Sequence, residues 1–202
     1  MSSNETPTLD LLYEHSLLNR YLMNYDKCAD LLDTNNININ KEMVVKIVYS
    51  IALFIRKFIE DYHEKNEEKY IFPLVDKYGS SYHKKIVKIL INEHHKGRKI
   101  TTKILNLSSK FDLTNISTIS SLIRIFSNMY RLHENNEDLI IYRFISLKIP
   151  NDIKYKITEY QESSESKIFG NNAFNKFITT AIELEKFLNI LTEQQFLKKK
   201  KI

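Results

Sequence analysis

Apolar residues recur along most of this chain at the three- and four-residue spacing of amphipathic helices. Four long segments carry the pattern: from about Thr8 to Leu32, from Lys41 to Asp76, from Ser81 to Ser109 and from Ile116 to Lys148. The Asn-rich stretch Asp33 to Asn40 separates the first pair, and Gly79-Ser80 makes the next break. Asp112, Thr114 and Asn115 supply capping chemistry before the fourth segment, and Pro150 stops it. Pro73 falls near the end of the second segment and is expected to kink or terminate it. Asn151 to Ile202 carries two further helical patterns, divided by Gly170-Asn171-Asn172. The predicted fold is all-α. Residues 1–149 are expected to form an up-down-up-down antiparallel four-helix bundle, and 150–202 a C-terminal helical extension packed on it and ending in a basic tail.

Composition supports long helices, because 3 Gly and 3 Pro are too few for the turns of a sandwich or doubly wound sheet. The net charge is +5, but Lys198, Lys199, Lys200 and Lys201 contribute most of it, and the body is nearly neutral. A nucleic-acid-binding face is therefore not expected, and the tail reads as a solvated, frayed end. The single cysteine, Cys28, excludes an internal disulfide framework, a Cys-rich zinc site and an iron–sulfur cluster held within one chain. No apolar run is long enough to span a bilayer, so no membrane partner is expected. Met1 to Thr8 is polar and lacks a signal core, which predicts a cytoplasmic location.

The chemistry lies in the histidines. Of six, four stand one per segment on the apolar stripe: His15, His63, His94 and His133. On the first stripe Leu11, His15, Leu18 and Leu22 follow one another; on the third, Val87, Leu90, His94, Gly97 and Thr101. The second carries Ile59, His63, Glu67, Ile71 and Leu74, and the fourth carries Met129, His133, Glu137, Ile140 and Phe144. Glu67 and Glu137 thus point where an apolar core belongs, each four residues after a histidine. A buried carboxylate is costly unless it is paired or metal-bound. One such His-x-x-x-Glu pair is weak testimony, but two of them with two more histidines in phase converge on a cage. Mixed imidazole and carboxylate ligation of that kind suits iron or manganese.

Several short motifs then agree with one family. Glu14-His15 with Arg20, and Tyr62-His63-Glu-Lys-Asn-Glu67-Glu68 followed by Ile71-Phe72-Pro73, occupy the first two segments. Glu93-His94 before Gly97-Arg98, and His133-Glu-Asn-Asn-Glu137-Asp138 before Tyr142, occupy the others. In order, spacing and flanking residues the chain resembles the hemerythrin-like, HHE cation-binding family over about Leu9 to Leu147. The resemblance implies two non-haem iron ions bridged by carboxylates and an oxo or hydroxo group. It implies His15, His63, Glu67, His94, His133 and Glu137 as their ligands. Oxygen-carrying members have a second histidine four residues on in the third helix, where this chain has Arg98. The resemblance therefore implies an open site that meets dioxygen, peroxide or nitric oxide rather than a pure carrier.

Other residues compete for roles. His95 falls a step off the stripe and reads as a polar flank, and Glu64, beside His63, reads either as a solvated carboxylate or as an extension of the cage. Asp138 is the alternative to Glu137 as the last carboxylate. Tyr130 reads either as a donor to a bound oxygen species or as a core tyrosine. His83 reads as surface, and Cys28 as a packed apolar residue. A lone Glu60-x-x-His63 lacks the second copy that a ferritin-like di-iron site needs. Two function classes stand: a redox-reactive di-iron protein, whose small partner is a diatomic molecule or peroxide, and an iron-binding storage or sensing protein without turnover. A purely structural bundle leaves the in-phase histidines and core-facing glutamates unexplained.

Overall fold

The computed structural model describes residues 7–35, 39–170 and 172–199, and no strand occurs among them. Long helices dominate: α1 (Pro7–Asp33), α2 (41–78), α3 (Ser81–Ser108), α4 (116–148), α5 (Asn151–Phe169) and α6 (Ala173–Lys199). Part of the Asn-rich linker, Asn171 and the last two lysines of the basic tail lie outside the described residues.

Local chemistry sets the helix ends. The Asn40 side chain accepts from Met43 N at 3.0 Å and caps α2. Ser80 caps α3 by accepting from His83 N. Asp112 accepts from Thr114 N at 2.8 Å and starts the 3-10 turn Leu113–Asn115, which feeds α4. Gly170 ends α5 at φ 76°, a left-handed conformation that favours glycine.

Neither α2 nor α4 is uniformly α-helical. Ile55–His63 and Glu67–Ile71 in α2, and Glu137–Tyr142 in α4, are wound as π-helix, a widening that single sequence periodicity does not reveal. It also explains Pro73. The proline was expected to end or kink the helix, yet α2 continues to Tyr78. Pro73 stands in the first turn of the α-helical stretch Phe72–Tyr78, directly after a π segment. The regular hydrogen-bond ladder is already interrupted there, so the missing N–H costs little.

Two apolar clusters form the core. The larger joins Leu18, Leu22 and Tyr25 of α1, Val48, Ile51 and Phe58 of α2, and Ile119, Ile123 and Phe126 of α4, together with Ala181 and Leu188 of α6. The smaller joins Leu11, Ile71, Val75, Leu90, Ile141 and Ile145, with Ile157 of α5. The C-terminal helices share these cores directly. Asn24 Nδ2 donates to Ala181 O, Tyr21 Oη donates to Phe177 O, and Arg20 grips both carboxylate oxygens of Glu185. Phe58 lies in ring contact with Phe169 and Phe177, closing α5 and α6 onto α2. On each of the first four helices, the polar residues of the site fall between a stretch belonging to one cluster and a stretch belonging to the other.

Candidate metal centre

Between the two clusters the structure buries charge. His15, His63, Glu67, His94, His133 and Glu137 are each at most 3% exposed. The histidines meet as two facing pairs. His15 Nε2 and His63 Nε2 lie 3.1 Å apart, and so do His94 Nε2 and His133 Nε2. The two glutamates stand between the pairs. Glu67 Oε2 is 3.6 Å from His63 Nε2 and 3.5 Å from His94 Nε2. Glu137 divides its oxygens, with Oε2 3.4 Å from His15 Nε2 and Oε1 3.0 Å from His133 Nε2. Two donor groups result, His15, His63, Glu67 and Glu137 on one side, and Glu67, His94, His133 and Glu137 on the other. Within each group the ligand atoms lie within 4.8 Å of one another, and both carboxylates belong to both groups.

Every imidazole is held from behind. His15 Nδ1 donates to Asp138 at 2.8 Å, and His63 Nδ1 to Glu14 at 2.5 Å. His94 Nδ1 donates to Glu68 at 2.9 Å, and His133 Nδ1 to Glu93 at 3.0 Å. A donated Nδ1–H leaves Nε2 as the free lone pair and fixes the ring plane, as in metal sites whose ligands are oriented by carboxylates. Glu14 and Glu93 sit directly before a histidine, and Glu68 and Asp138 five residues after one, but each serves the histidine of another helix. That is why the supporting roles of Glu14, Glu68 and Glu93 were not legible in the chain, and why Asp138 read there as an alternative ligand to Glu137. Asp138 lies behind His15 and outside both donor groups.

The donor set fits a cation. Glu67 Oε2 and both oxygens of Glu137 are fully buried without an aligned hydrogen-bond partner. Buried carboxylate oxygens in that state are strongly disfavoured unless a positive charge meets them. The imidazoles carry the complementary signature. Burial works against a charged His15 and His94, yet their carboxylate partners hold both well above the ordinary histidine value. For His133 the same balance, led by Glu137, sets a pKa of about 9, and His63 is raised likewise, chiefly by Glu67. Burial pushes Glu137 up, but His133 and His15 outweigh it and hold its carboxyl well below the usual range. Positive charge on the rings and a bound cation are thus alternative partners for the two carboxylates.

The sequence matches the hemerythrin HHE cation binding domain over residues 6–145, well over half of the chain. The chain belongs to the hemerythrin HHE cation-binding family. It is also similar to the uncharacterized protein Mb2018 of Mycobacterium bovis and the uncharacterized protein Rv1995 of Mycobacterium tuberculosis. Each is 27% identical over 191 residues, covering 93% of this chain and 72% of the relative. Those alignments run on into the C-terminal helices beyond the family match. No solved structure matches.

Around this hemerythrin-like cage the two sides are built on one plan and furnished differently. Asn19, four residues after His15, donates to Glu134 at 2.8 Å. Arg98, four residues after His94, lies 2.7 Å from Glu64 Oε2 and donates to Glu68 at 2.7 Å. Glu64 and Glu134 each follow the histidine of an HxxxE pair. Glu134 is raised by burial to about 7, against the lowering effect of His15 and His63. Glu68 is lowered to about 2 by its bonds to His94 and Arg98.

Tyr142 Oη donates to Glu67 at 2.5 Å, and its ring stacks on His15. On the other side Phe72 stacks on His94 and offers no hydroxyl. Tyr130, the open question among the aromatics, is buried and donates to Glu64. Its ring lies over Gly97, where a Cβ would come within 2.6 Å of Tyr130 Oη, so only glycine leaves the slot. Glu64 lies within ligand distance of Glu68 and His94, but Arg98 already meets that group's charge. His95 is exposed on α3 and joins no donor group among the described residues. His83 is half-buried and rests its ring on Phe144 rather than standing free on the surface. Cys28 is buried in the larger core, with its thiol pushed up by burial. No helix among the described residues is long and apolar enough to cross a membrane.

Proposed function

We propose that this chain is a non-haem di-iron protein that reacts with a small oxidant or diatomic molecule between its helices. The observation that carries the reading is the pair of donor groups sharing Glu67 and Glu137. A structural zinc site needs one group of four ligands and is closed by them. Here six side chains are arranged for two ions, with imidazoles at the ends and carboxylates in the middle, the donor mix that suits iron. His15 and His63 would hold one ion and His94 and His133 the other. Two irons bound there would supply redox chemistry toward dioxygen, peroxide or nitric oxide.

The chain's own residues define the rest. The four carboxylates behind the imidazoles hold Nε2 toward the cage. Tyr142 keeps one oxygen of Glu67 occupied, so Oε2 is left for the ions. Phe72 and Tyr142 stack on His94 and His15 and place aromatic surface against the cage. Arg98 stands where oxygen carriers place a further histidine, and its guanidinium is committed to Glu64 and Glu68. With two imidazoles and two shared carboxylates each, the ions would keep positions for an external ligand.

The helix order supports the bundle reading. α1 and α3 run from the smaller core cluster through the site to the larger one, and α2 and α4 run back. We read that alternation as support for an up-down-up-down bundle within 1–149, with the described residues of 150–202 as a helical cover on α1 and α2. Elemental analysis of protein purified from its native host, with an optical spectrum in air, tests the function. We expect iron in both positions and a diferric absorption that azide shifts. Stoichiometric zinc without iron would defeat the proposal.

A further inference from the structure

The outward face of α4 exposes apolar residues in a regular series. Among the described side chains, the four most exposed large apolar groups are Leu113, Leu132, Leu139 and Leu147, at 66 to 69%. Three of them lie on α4, and the fourth in the turn that feeds it. Ile125, 55% exposed, continues the series: Ile125, Leu132 and Leu139 are seven residues apart. Leu147 follows after eight, and the π-helical stretch Glu137–Tyr142 takes up the extra residue and keeps it in line. A seven-residue apolar repeat on an exposed helix is a seam that a second helix fills. Charge is kept off it. From Ile125 to Leu139 the exposed positions are Ile125, Asn128, Leu132, Asn135 and Leu139. The neighbouring charges turn aside to α1, Arg124 to Asp30 and Asp33, Arg131 to Asp26, and Asp138 to His15.

We propose that this face joins two copies of the chain, α4 packing on the partner's α4 about a two-fold axis at Leu132. A two-fold contact must be complementary to itself. Here it is, whichever way the two helices run: Leu132 meets its own copy, Ile125 and Leu139 meet aliphatic residues, and the amides of Asn128 and Asn136 meet amides. A seam without charge selects no partner of opposite sign, which commits it to a second copy. The area suffices. From Ile125 to Leu147 α4 is about 33 Å long, and a band two helix diameters wide gives each copy roughly 700 Å2. A stable interface takes about 800 Å2 from each partner.

The test is sedimentation equilibrium of the full chain, which should run at twice the chain mass. Leu132→Glu with Leu139→Glu should weaken association about a hundredfold or more, because carboxylates would be buried without partners, while far-UV circular dichroism stays that of the wild type. Tyr155→Glu, at an exposed apolar position on α5, should leave the dimer intact. Cross-linking gives a second reading. Leu132→Cys should form a covalent dimer with a short bismaleimide and Tyr155→Cys should not; the native Cys28 is buried and does not compete. A wild-type chain that stays monomeric at about 100 µM overturns the proposal. So does a dimer that survives Leu132→Glu with Leu139→Glu. If that double variant loses its helicity, the cross-link decides, and a Leu132→Cys chain that yields no covalent dimer overturns the proposal.

Discussion

The two halves of the cage share a ligand plan and differ in everything behind it. On the His15 side a neutral Asn19 attends Glu134, a tyrosine hydroxyl reaches Glu67, and the outer wall is acidic. On the His94 side Arg98 clamps Glu64 and Glu68, Phe72 replaces the hydroxyl, and the outer groove is basic. Identical ligand types therefore sit in unlike fields. The guanidinium beside the His94 half offsets part of its negative charge, so a cation would be expected to favour the His15 half. The lesson is that donor identity sets which ions fit, and surrounding charge sets how the two positions differ.

The strongest way to break this comparison is to remove what the halves share. Glu67→Ala or Glu137→Ala should empty both positions together, whereas His94→Ala should leave the His15 half loaded. Metal analysis after gel filtration reads the difference, and a Glu67→Ala protein that kept both ions would sink the shared-carboxylate arrangement.

Next in size is the pH response of the metal-free protein. The raised imidazoles, His133 at about 9 among them, stabilise the fold fully below their unfolded value and lose that contribution as pH rises through the folded one. Glu60 and Glu134, both raised to about 7, act in the same direction, because burial favours their neutral forms. The metal-free midpoint should fall between about pH 6 and 9, with His133 alone worth roughly 3 kcal/mol, or on the order of 10 °C. The metal-loaded midpoint should stay nearly flat, since the imidazoles are then bound as neutral ligands. Parallel pH curves for the two forms would place the metal away from these residues.

Smaller effects sharpen the asymmetry. Arg98→Ala strands the buried carboxylate of Glu64, and about 2–3 kcal/mol of stability should go with it, the lower part of the range because Arg98 is partly exposed. Asn19→Ala removes one hydrogen bond from Glu134 and should cost about 1–2 kcal/mol. Urea unfolding of both variants makes the comparison, and a costlier Asn19→Ala would mean that charge is not what separates the halves. Gly97→Ala forces a methyl against Tyr130 and should cost about 1–3 kcal/mol, less in a Tyr130→Phe background. The smallest expected effect is none: His95→Ala should retain its metal.

Helix positions and the inward residues of each stripe were legible because both are local properties. A 3.6-residue period places His63 and Glu67 on one face whatever else the chain does. Few turn residues and one cysteine likewise narrowed the fold class before any contact was known. What only the tertiary structure decided are relations between helices. It paired His15 with His63 and His94 with His133, and it set Glu14 behind His63 rather than behind the adjacent His15. It also committed Arg98 to Glu64 and gathered Glu14 and Glu165 around one pocket. The π-helical turns at Glu67 and Glu137 belong to the same class, since they answer packing and buried charge rather than propensity. Spacing along one helix is set by the backbone's own geometry, whereas spacing across helices follows from how their side chains fill the space between them.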